Sequence, residues 1–385
     1  MDILNKKIII STHYFVYGAP QALREYLIKS KIDKLIFIAH PLEIDRSRSY
    51  IEYVNNGDII KKHESKLRSN ISILNYFIEI CLTLIWLFAN GEKFDLFIGV
   101  DSLNSFVGLL LKKVGYVRKV VFYTIDYVPN RFNNKLLNYI YHRLDKFCLK
   151  NADETWNVSP RIAEGREKLN GLNHVIYNKQ RVVPIGVWFD RVKRLPFDQI
   201  NRCQLLFVGN LLEKQGVQIV FESIPKIIKV IPDFHFLIVG GGEYENILRE
   251  MVKKKELEKY VTFTGWIKNR KKLDTIMADS AIAIAMYDKT KDNFTYYADP
   301  TKLKDYLSAG LPILLTDVPH NAKELEHNKC GIIIDYDVDK VKNAIIDLMK
   351  NEFKLKEYRK NAENYIKRFD YNIIFEENLN RILNS

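Results

Sequence analysis

The stretch Tyr296-Tyr297-Ala298-Asp299-Pro300-Thr301-Lys302-Leu303-Lys304-Asp305-Tyr306-Leu307-Ser308-Ala309-Gly310-Leu311-Pro312 decides how the chain is read. Asp299 is expected as N-cap, its carboxylate accepting from N–H groups that a helix start leaves unpaired. Pro300 suits the first helical turn, where its missing N–H costs nothing. Gly310 fits the left-handed residue that closes a helix, and Pro312 stops any continuation. The expectation is a helix of about three turns. Its tip would aim the N–H groups of Thr301, Lys302 and Leu303 at an anion, which the helix dipole also favours. Asp305 would lie about 7.5 Å further along the axis at 1.5 Å per residue. Phosphates at the tip and ribose hydroxyls on Asp305 fit a nucleoside diphosphate. A capped core helix with a solvent-facing Asp305 fits equally well, and this segment alone does not separate the two.

Outward from that helix, strand and helix alternate in both directions. Apolar strands are expected at 205–209, 236–239, 261–264, 281–286, 313–316 and 331–334, with helices at 217–230, 244–254, 271–279 and 338–350. The first half repeats the pattern, with strands at 8–11, 35–40, 94–101, 120–126 and 154–159 and helices at 21–30, 103–114 and 135–150. Continuous apolar runs between helices indicate parallel sheets covered on both faces. The predicted fold class is α/β: two doubly wound, Rossmann-like domains facing across a cleft. They are set at 1–195 and 200–364, with a tail at 365–385 packing back on the first. Ligands of such sheets sit at the carboxyl ends of the strands.

A chain of 385 residues, 47% hydrophobic, is ample for two cores. Its net charge of +12 favours anionic partners: a nucleotide, a phospholipid surface or nucleic acid. No basic block is interleaved with aromatics as in a nucleic-acid module, so nucleic acid ranks last. Cys81, Cys148, Cys203 and Cys330 are scattered, form no Cys-x-x-Cys, and read as reduced thiols of a cytoplasmic protein. The N-terminus runs straight into a strand at 6–11, so no secretory signal is expected. No His/Asp cluster has ligand spacing, so neither a metal nor a further cofactor is expected.

The run 71–89 contains one charge, Glu79, and follows Lys61, Lys62, Lys66 and Arg68. It approaches the length of a membrane span, about 20 residues. A sheet strand resumes at 94, however, and a span would split the domain. An ordinary core helix is expected first. A helix whose exposed apolar face rests peripherally on an anionic membrane is the alternative.

Several loops at strand ends carry candidate chemistry. Gly209-Asn210-Leu211-Leu212-Glu213-Lys214-Gln215-Gly216 places an ammonium, Lys214, over the crevice, where it could hold a diphosphate. Gly240-Gly241-Gly242 lets backbone approach a ligand, without the spacing of a dinucleotide fingerprint. Thr264-Gly265-Trp266-Ile267 ends the next strand, where backbone amides could read a nucleobase, while Trp266 fits a packing residue equally well. In the first half, Asp126 and Arg131 follow a strand end, as an active-site pair or as a helix cap with its partner. His13 and His40 also end strands, where a lone histidine is more often structural.

These residues resemble the GT-B glycosyltransferases, in particular the retaining enzymes of family 4. The resemblance runs from Leu205 to Ile334, through Gly209-x4-Lys214-x-Gly216, Gly240–Gly242, Gly265-Trp266 and Pro300-Thr-Lys-x-x-Asp305-Tyr-Leu-x-Ala-Gly-x-Pro312. The first half fits mainly in topology, with Gly18, Asp126 and Pro184-x-Gly186 at suitable places. The resemblance implies a nucleotide-sugar donor held by the second domain and a glycan or lipid-linked acceptor held by the first. Lys214 would contact the diphosphate and Asp305 the ribose. Asn210, Gly241, Trp266, Tyr297, Pro300, Thr301, Lys302 and Gly18 fall at donor-side positions, and His13 and Arg131 on the acceptor side. Two departures stand out. The family's Glu-x7-Glu reads Tyr297-x7-Asp305, with Asp299 as a possible substitute for the first Glu, and Asn210 replaces an Arg. Asp126, Lys214 and Asp299 are the catalytic candidates. A nucleotide-sugar epimerase, or a non-catalytic donor-binding partner in a glycan assembly complex, would use the same frame.

Overall fold

The structure is a computed structural model and describes residues 3–14, 17–41, 48–171, 179–291 and 294–385. The chain divides into two units, Met1–Ile185 with Tyr371–Ser385, and Gly186–Asp370. The chain thus changes unit ten residues before the boundary read from the sequence, and the returning segment starts at Tyr371.

The front unit contains β1 (Lys7–Tyr14), α1 (Ala19–Lys29), β2 (Lys34–Pro41), β3 (Tyr50–Asn55), β4 (Asp58–Glu64), α2 (Ser72–Phe88), β5 (Phe94–Val100), α3 (Asp101–Lys113), β6 (Val117–Thr124), α4 (Lys135–Asn151), β7 (Glu154–Asn157), α5 (Pro160–Asn170) and β8 (Gln180–Val182). The sheet order is β4-β3-β2-β1-β5-β6-β7-β8. β1, β2 and β5 to β8 pair in parallel. β3 and β4 extend the edge as an antiparallel hairpin, which the apolar pattern did not reveal because β4 is exposed throughout. The signal present was Asn56-Gly57, whose φ values of 49° and 80° form the left-handed pair of a tight hairpin turn. Leu82, Trp86 and Leu87 of α2, Val107 and Leu111 of α3, and Cys148 of α4 share one core with Ile9, Phe97, Val120 and Phe122 of the sheet.

The rear unit contains β9 (Asn201–Val208), α6 (Gln218–Ile227), β10 (His235–Val239), α7 (Glu245–Lys254), β11 (Val261–Phe263), α8 (Arg270–Asp279), β12 (Ser280–Ala285), α9 (Thr301–Ser308), β13 (Ile313–Leu315), α10 (Ala322–His327), β14 (Gly331–Ile333), α11 (Val338–Lys350) and α12 (Glu352–Ile366). Its strands are all parallel, in the order β11-β10-β9-β12-β13-β14. Chain direction across the sheet reverses between β9 and β12. That is the topological switch point, where ligands of open α/β sheets bind. The last helix, α13 (Tyr371–Asn384), returns to the front unit. Phe375 meets Tyr26 of α1 with ring centroids 5.7 Å apart, and Arg381 pairs with Glu154 at 2.8 Å.

Three expectations for the central helix are corrected. α9 has eight residues, about two turns, and its N-cap is Pro300 without a side-chain cap. Asp299 does not cap it. That carboxylate is buried beneath the helix, 3.4 Å from both Lys304 Nζ and His320 Nε2. Leu303 N–H also turns inward, donating to the Pro300 carbonyl at 3.1 Å. Gly310 does end the helix in the left-handed region, at φ 76°.

Candidate active site

The rear unit gathers most donor-side candidates at the carboxyl ends of β9, β10 and β11. Backbone bonds stitch the three loops together: Gly209 N–H donates to Val239, Leu211 N–H to Gly241 and Gly240 N–H to Gly265. A side chain at Gly240 could not be accommodated, because its Cβ would lie 1.9 Å from the Gly209 carbonyl oxygen. Gly216 fixes the other edge. It has φ 70°, and its Cβ would fall 1.7 Å from the Met286 carbonyl beyond β12. The turn that carries Lys214 is therefore pressed onto the switch point, and Asp288 N–H donates to the Lys214 carbonyl at 3.0 Å.

α9 reaches this turn with one face. Tyr306 Oη accepts from Val208 N–H at 2.7 Å, holding the helix to the end of β9. One turn earlier, at the i, i+4 spacing that puts side chains on one face, Lys302 Nζ donates to Gln215 Oε1 at 2.6 Å. A Cβ at Gly209 would lie 3.1 Å from that ammonium. The Lys302 ammonium also sits 4.5 Å from the Phe207 ring centre and 5.2 Å from that of Tyr287. Burial in these surroundings pushes its pKa down to about 7. The sequence left one cation missing where Asn210 replaces Arg; Lys302 brings an ammonium to the same loop.

Asp305 lies on the adjacent face, paired with Arg270 at 2.7 Å. Burial raises its pKa, and Arg270 opposes the rise. Arg270 also pairs with Asp274 at 2.7 Å, so its guanidinium ties α8 to α9. Nothing in the sequence singled out Arg270: the motif that follows β11, Gly265-Trp266, ends four positions before it. Trp266 is not a core residue: it is 63% exposed, and its indole Nε1 would stand 2.8 Å from a Cβ at Gly241. It forms an edge beside the glycine loop. Asn210 and Thr301 are exposed, and Pro300 and Tyr297 are half-buried. Tyr297 packs edge-on to Tyr296, with centroids 5.0 Å apart.

The front unit builds a second polar cluster at the ends of β1 and β5. His13 is held between two carboxylates: Nδ1 lies 2.8 Å from Asp101 and Nε2 lies 2.9 Å from Glu79. Burial disfavours the charged ring, but the two carboxylates outweigh it and raise its pKa to about 10. His13 is thus an imidazolium at neutral pH. Asp101 opens α3 with φ 65°, a strained value for a residue with a side chain. His13, followed by Arg131, holds its carboxyl below the usual range against the effect of burial. Glu79 was visible as the lone charge of an apolar helix, but nothing in its spacing pointed to His13.

Asp126 does not cap α4; Asn134 does, accepting from Leu136 N–H and Leu137 N–H. Asp126 is exposed overall. Its carboxyl is nevertheless hemmed in by protein, which raises its pKa while Arg131 opposes. Arg131 is exposed and lies 5.5 Å over the Tyr141 ring. Gly18 caps α1, its N–H donating to Gln21 Oε1 at 2.9 Å. His40 is buried and neutral, pushed down to about 3 by burial, and bonded to Ser49 and Thr83.

Comparison with known proteins agrees with this architecture. Residues 199–368, nearly the whole rear unit, match the family model described as glycosyl transferases group 1. Over 153 residues the chain is 25% identical to a GDP-mannose-dependent alpha-(1-6)-phosphatidylinositol monomannoside mannosyltransferase of Mycobacterium tuberculosis, covering 39% of each. It is 22% identical over 367 residues to a poly(glycerol-phosphate) alpha-glucosyltransferase of Bacillus subtilis, covering 90% of this chain and 48% of that one. The chain thus spans less than half the length of these curated relatives. Among solved structures, Anabaena HepE in complex with UDP superposes with a TM-score of 0.71 at 14% identity, covering 98% of this chain and 100% of that one. That likeness shows the fold.

Proposed function

We propose, on the premise that this chain is a GT-B glycosyltransferase by family and fold, that it moves a sugar from a nucleoside-diphosphate sugar to an acceptor hydroxyl with retention of anomeric configuration. The observation that carries the reading is the Lys302 ammonium lying on the Gly209–Gly216 turn, at the switch point of the rear sheet. Negative charge builds on the leaving diphosphate as the bond to the sugar breaks. Preorganised cations aimed at that charge lower the barrier most. Lys214, Lys302 and the N–H groups at the tip of α9 fill that role, with fixed cations in place of a metal. UDP and GDP donors both fit such a cradle, and Trp266 offers a face beside it for the base.

Retention follows from attack on the face the diphosphate leaves. The bond from the anomeric carbon to the phosphate oxygen breaks, the bond to the acceptor oxygen forms, and the departing phosphate takes the acceptor's proton. Asp126 and Arg131 orient the acceptor, and the His13 imidazolium stabilises negative groups near it. The acceptor is a glycan or lipid-linked hydroxyl of cell-surface polysaccharide or glycolipid assembly. The chain works at the cytoplasmic face of the membrane, in peripheral contact with it.

Release of nucleoside diphosphate from a panel of UDP- and GDP-sugars, with and without acceptors, tests this reading. Release that depends on an acceptor supports transfer. Turnover without any acceptor favours the epimerase. Binding without turnover across the panel favours a non-catalytic donor-binding partner. One observation supports that last alternative: Tyr297 stands at the first Glu position, and Asp299 is engaged by Lys304 instead of facing a sugar.

A further inference from the structure

α2 has an inverted polarity for a helix at a protein surface. Its single charge, Glu79, is buried and bonded to His13, and buried Thr83 bonds His40 on the same inner face. Its outer face is a stripe of Leu74, Phe77, Cys81, Ile85 and Phe88, at helical spacings of three and four residues. Phe77 is 62% exposed and Ile85 61%. A water-facing helix normally shows the reverse arrangement, and contiguous exposed apolar surface marks an interaction site.

α4 repeats the pattern on the same side of the sheet, with α3 between the two helices. Its outer stripe is Leu136, Tyr139, Ile140, Arg143, Phe147 and Lys150, all exposed. Its one acid, Asp145, is buried against Arg166 at 2.8 Å. Ahead of α2 stand the exposed Lys61, Lys66 and Arg68. Lys62 is partly neutralised by Glu64 at 3.7 Å. The face is therefore apolar in its interior and cationic at its edges, with both helices' carboxylates turned inward.

We propose that this face of α2 and α4 docks on an anionic phospholipid bilayer, with the apolar stripes at the acyl boundary and the lysines and arginines among the phosphates. Among the described residues no helix is long and apolar enough to cross a membrane; the proposed contact lies along the helix faces, at the bilayer surface. The same helix that rests on the lipid holds His13 through Glu79 at 2.9 Å, which places the front cluster at the membrane boundary. That a lipid-linked acceptor is presented there rests on the transfer reading; the docking itself does not.

Co-sedimentation of the full chain with phosphatidylcholine vesicles, with and without phosphatidylglycerol, tests the proposal. Binding is expected only with the anionic lipid and should weaken as salt is raised. Lys61→Gln with Lys66→Gln should weaken it about 25-fold, at about fivefold per charge. Phe77→Ser with Ile85→Ser should weaken it at least about a hundredfold, at about fourfold per buried methylene. An environment-sensitive fluorophore on exposed Cys81, in a Cys203→Ser background, should shift to the blue on anionic vesicles. Unchanged binding by both variants overturns the proposal, as does vesicle binding without a Cys81 shift. Self-association lost in Phe77→Ser/Ile85→Ser, with no vesicle binding, assigns the face to a second copy and also overturns it. Nucleotide-sugar binding, measured separately without lipid, tests the donor site, so failure of one reading does not hide failure of the other.

Discussion

Lys302 Nζ and Gln215 Oε1 are 2.6 Å apart, so one hydrogen bond joins the tip of α9 to the turn after β9. The ammonium is otherwise surrounded by Phe207, Tyr287 and the Gly209 backbone. A neutral amide and two ring faces do not compensate a desolvated cation, and the pKa falls to about 7. On the proposed transfer reading, a diphosphate arriving here would supply the missing negative charge, so its binding and the protonation of Lys302 would reinforce each other.

The first prediction follows from that linkage. Lys302 in the free protein is largely neutral above its pKa of about 7. A bound diphosphate raises that pKa, so binding above it takes up a proton. Affinity for a nucleoside-diphosphate sugar should then fall as pH rises, by up to about tenfold per unit. The donor's diphosphate diester keeps its charge over this range. Lys302→Arg should flatten the profile, because a guanidinium stays charged. Calorimetric titration at several pH values checks this; an equal slope in the variant contradicts it.

A second prediction concerns His13. Its folded pKa of about 10 lies above the ordinary 6.5, so the stabilisation is fully present below 6.5 and is lost as pH rises through about 10. The thermal midpoint of the front unit should decline over that alkaline window in the wild type. In His13→Gln the decline should be shallower, because no imidazolium remains to lose its proton. Differential scanning calorimetry across the window measures both slopes, and identical slopes contradict the Glu79–His13–Asp101 arrangement.

A third prediction separates scaffold from site. Arg166 is fully buried, with two bonds of 2.8 Å to Asp145 and others to Thr124 and Asn157. Removing one partner of a buried ion pair leaves a charge uncompensated, at a cost of about 3–5 kcal/mol. Arg166→Met should lose that much stability by denaturant titration while the rear unit keeps its nucleotide affinity. A parallel loss of affinity would contradict the assignment of donor binding to the rear unit.

The alternation of apolar runs made both parallel sheets legible, since a buried parallel strand is marked by its own composition. The Tyr296–Pro312 stretch likewise foretold a helix before β13 with Gly310 at its end. The hairpin β3–β4 escaped because an exposed edge strand has no such mark. Asp299 was misassigned as a cap because sequence spacing fits both a cap and a partner for Lys304; burial of Lys304 decides for the latter. The pairs His13–Glu79 and Asp305–Arg270 join residues far apart in the chain. No local spacing encodes such pairs; the fold alone brings them together.

The central claim, that the rear unit grips a diphosphate with Lys214 and Lys302, is tested most directly by calorimetric titration of the intact chain with UDP- and GDP-sugars. One of the two donor classes should bind. Lys214→Ala and Lys302→Ala should each weaken binding by about 1.5–3 kcal/mol, roughly ten- to a hundredfold, with the ligand-free melting temperature nearly unchanged. Absence of binding to every nucleotide sugar, or affinity lost only in step with folding, would contradict it.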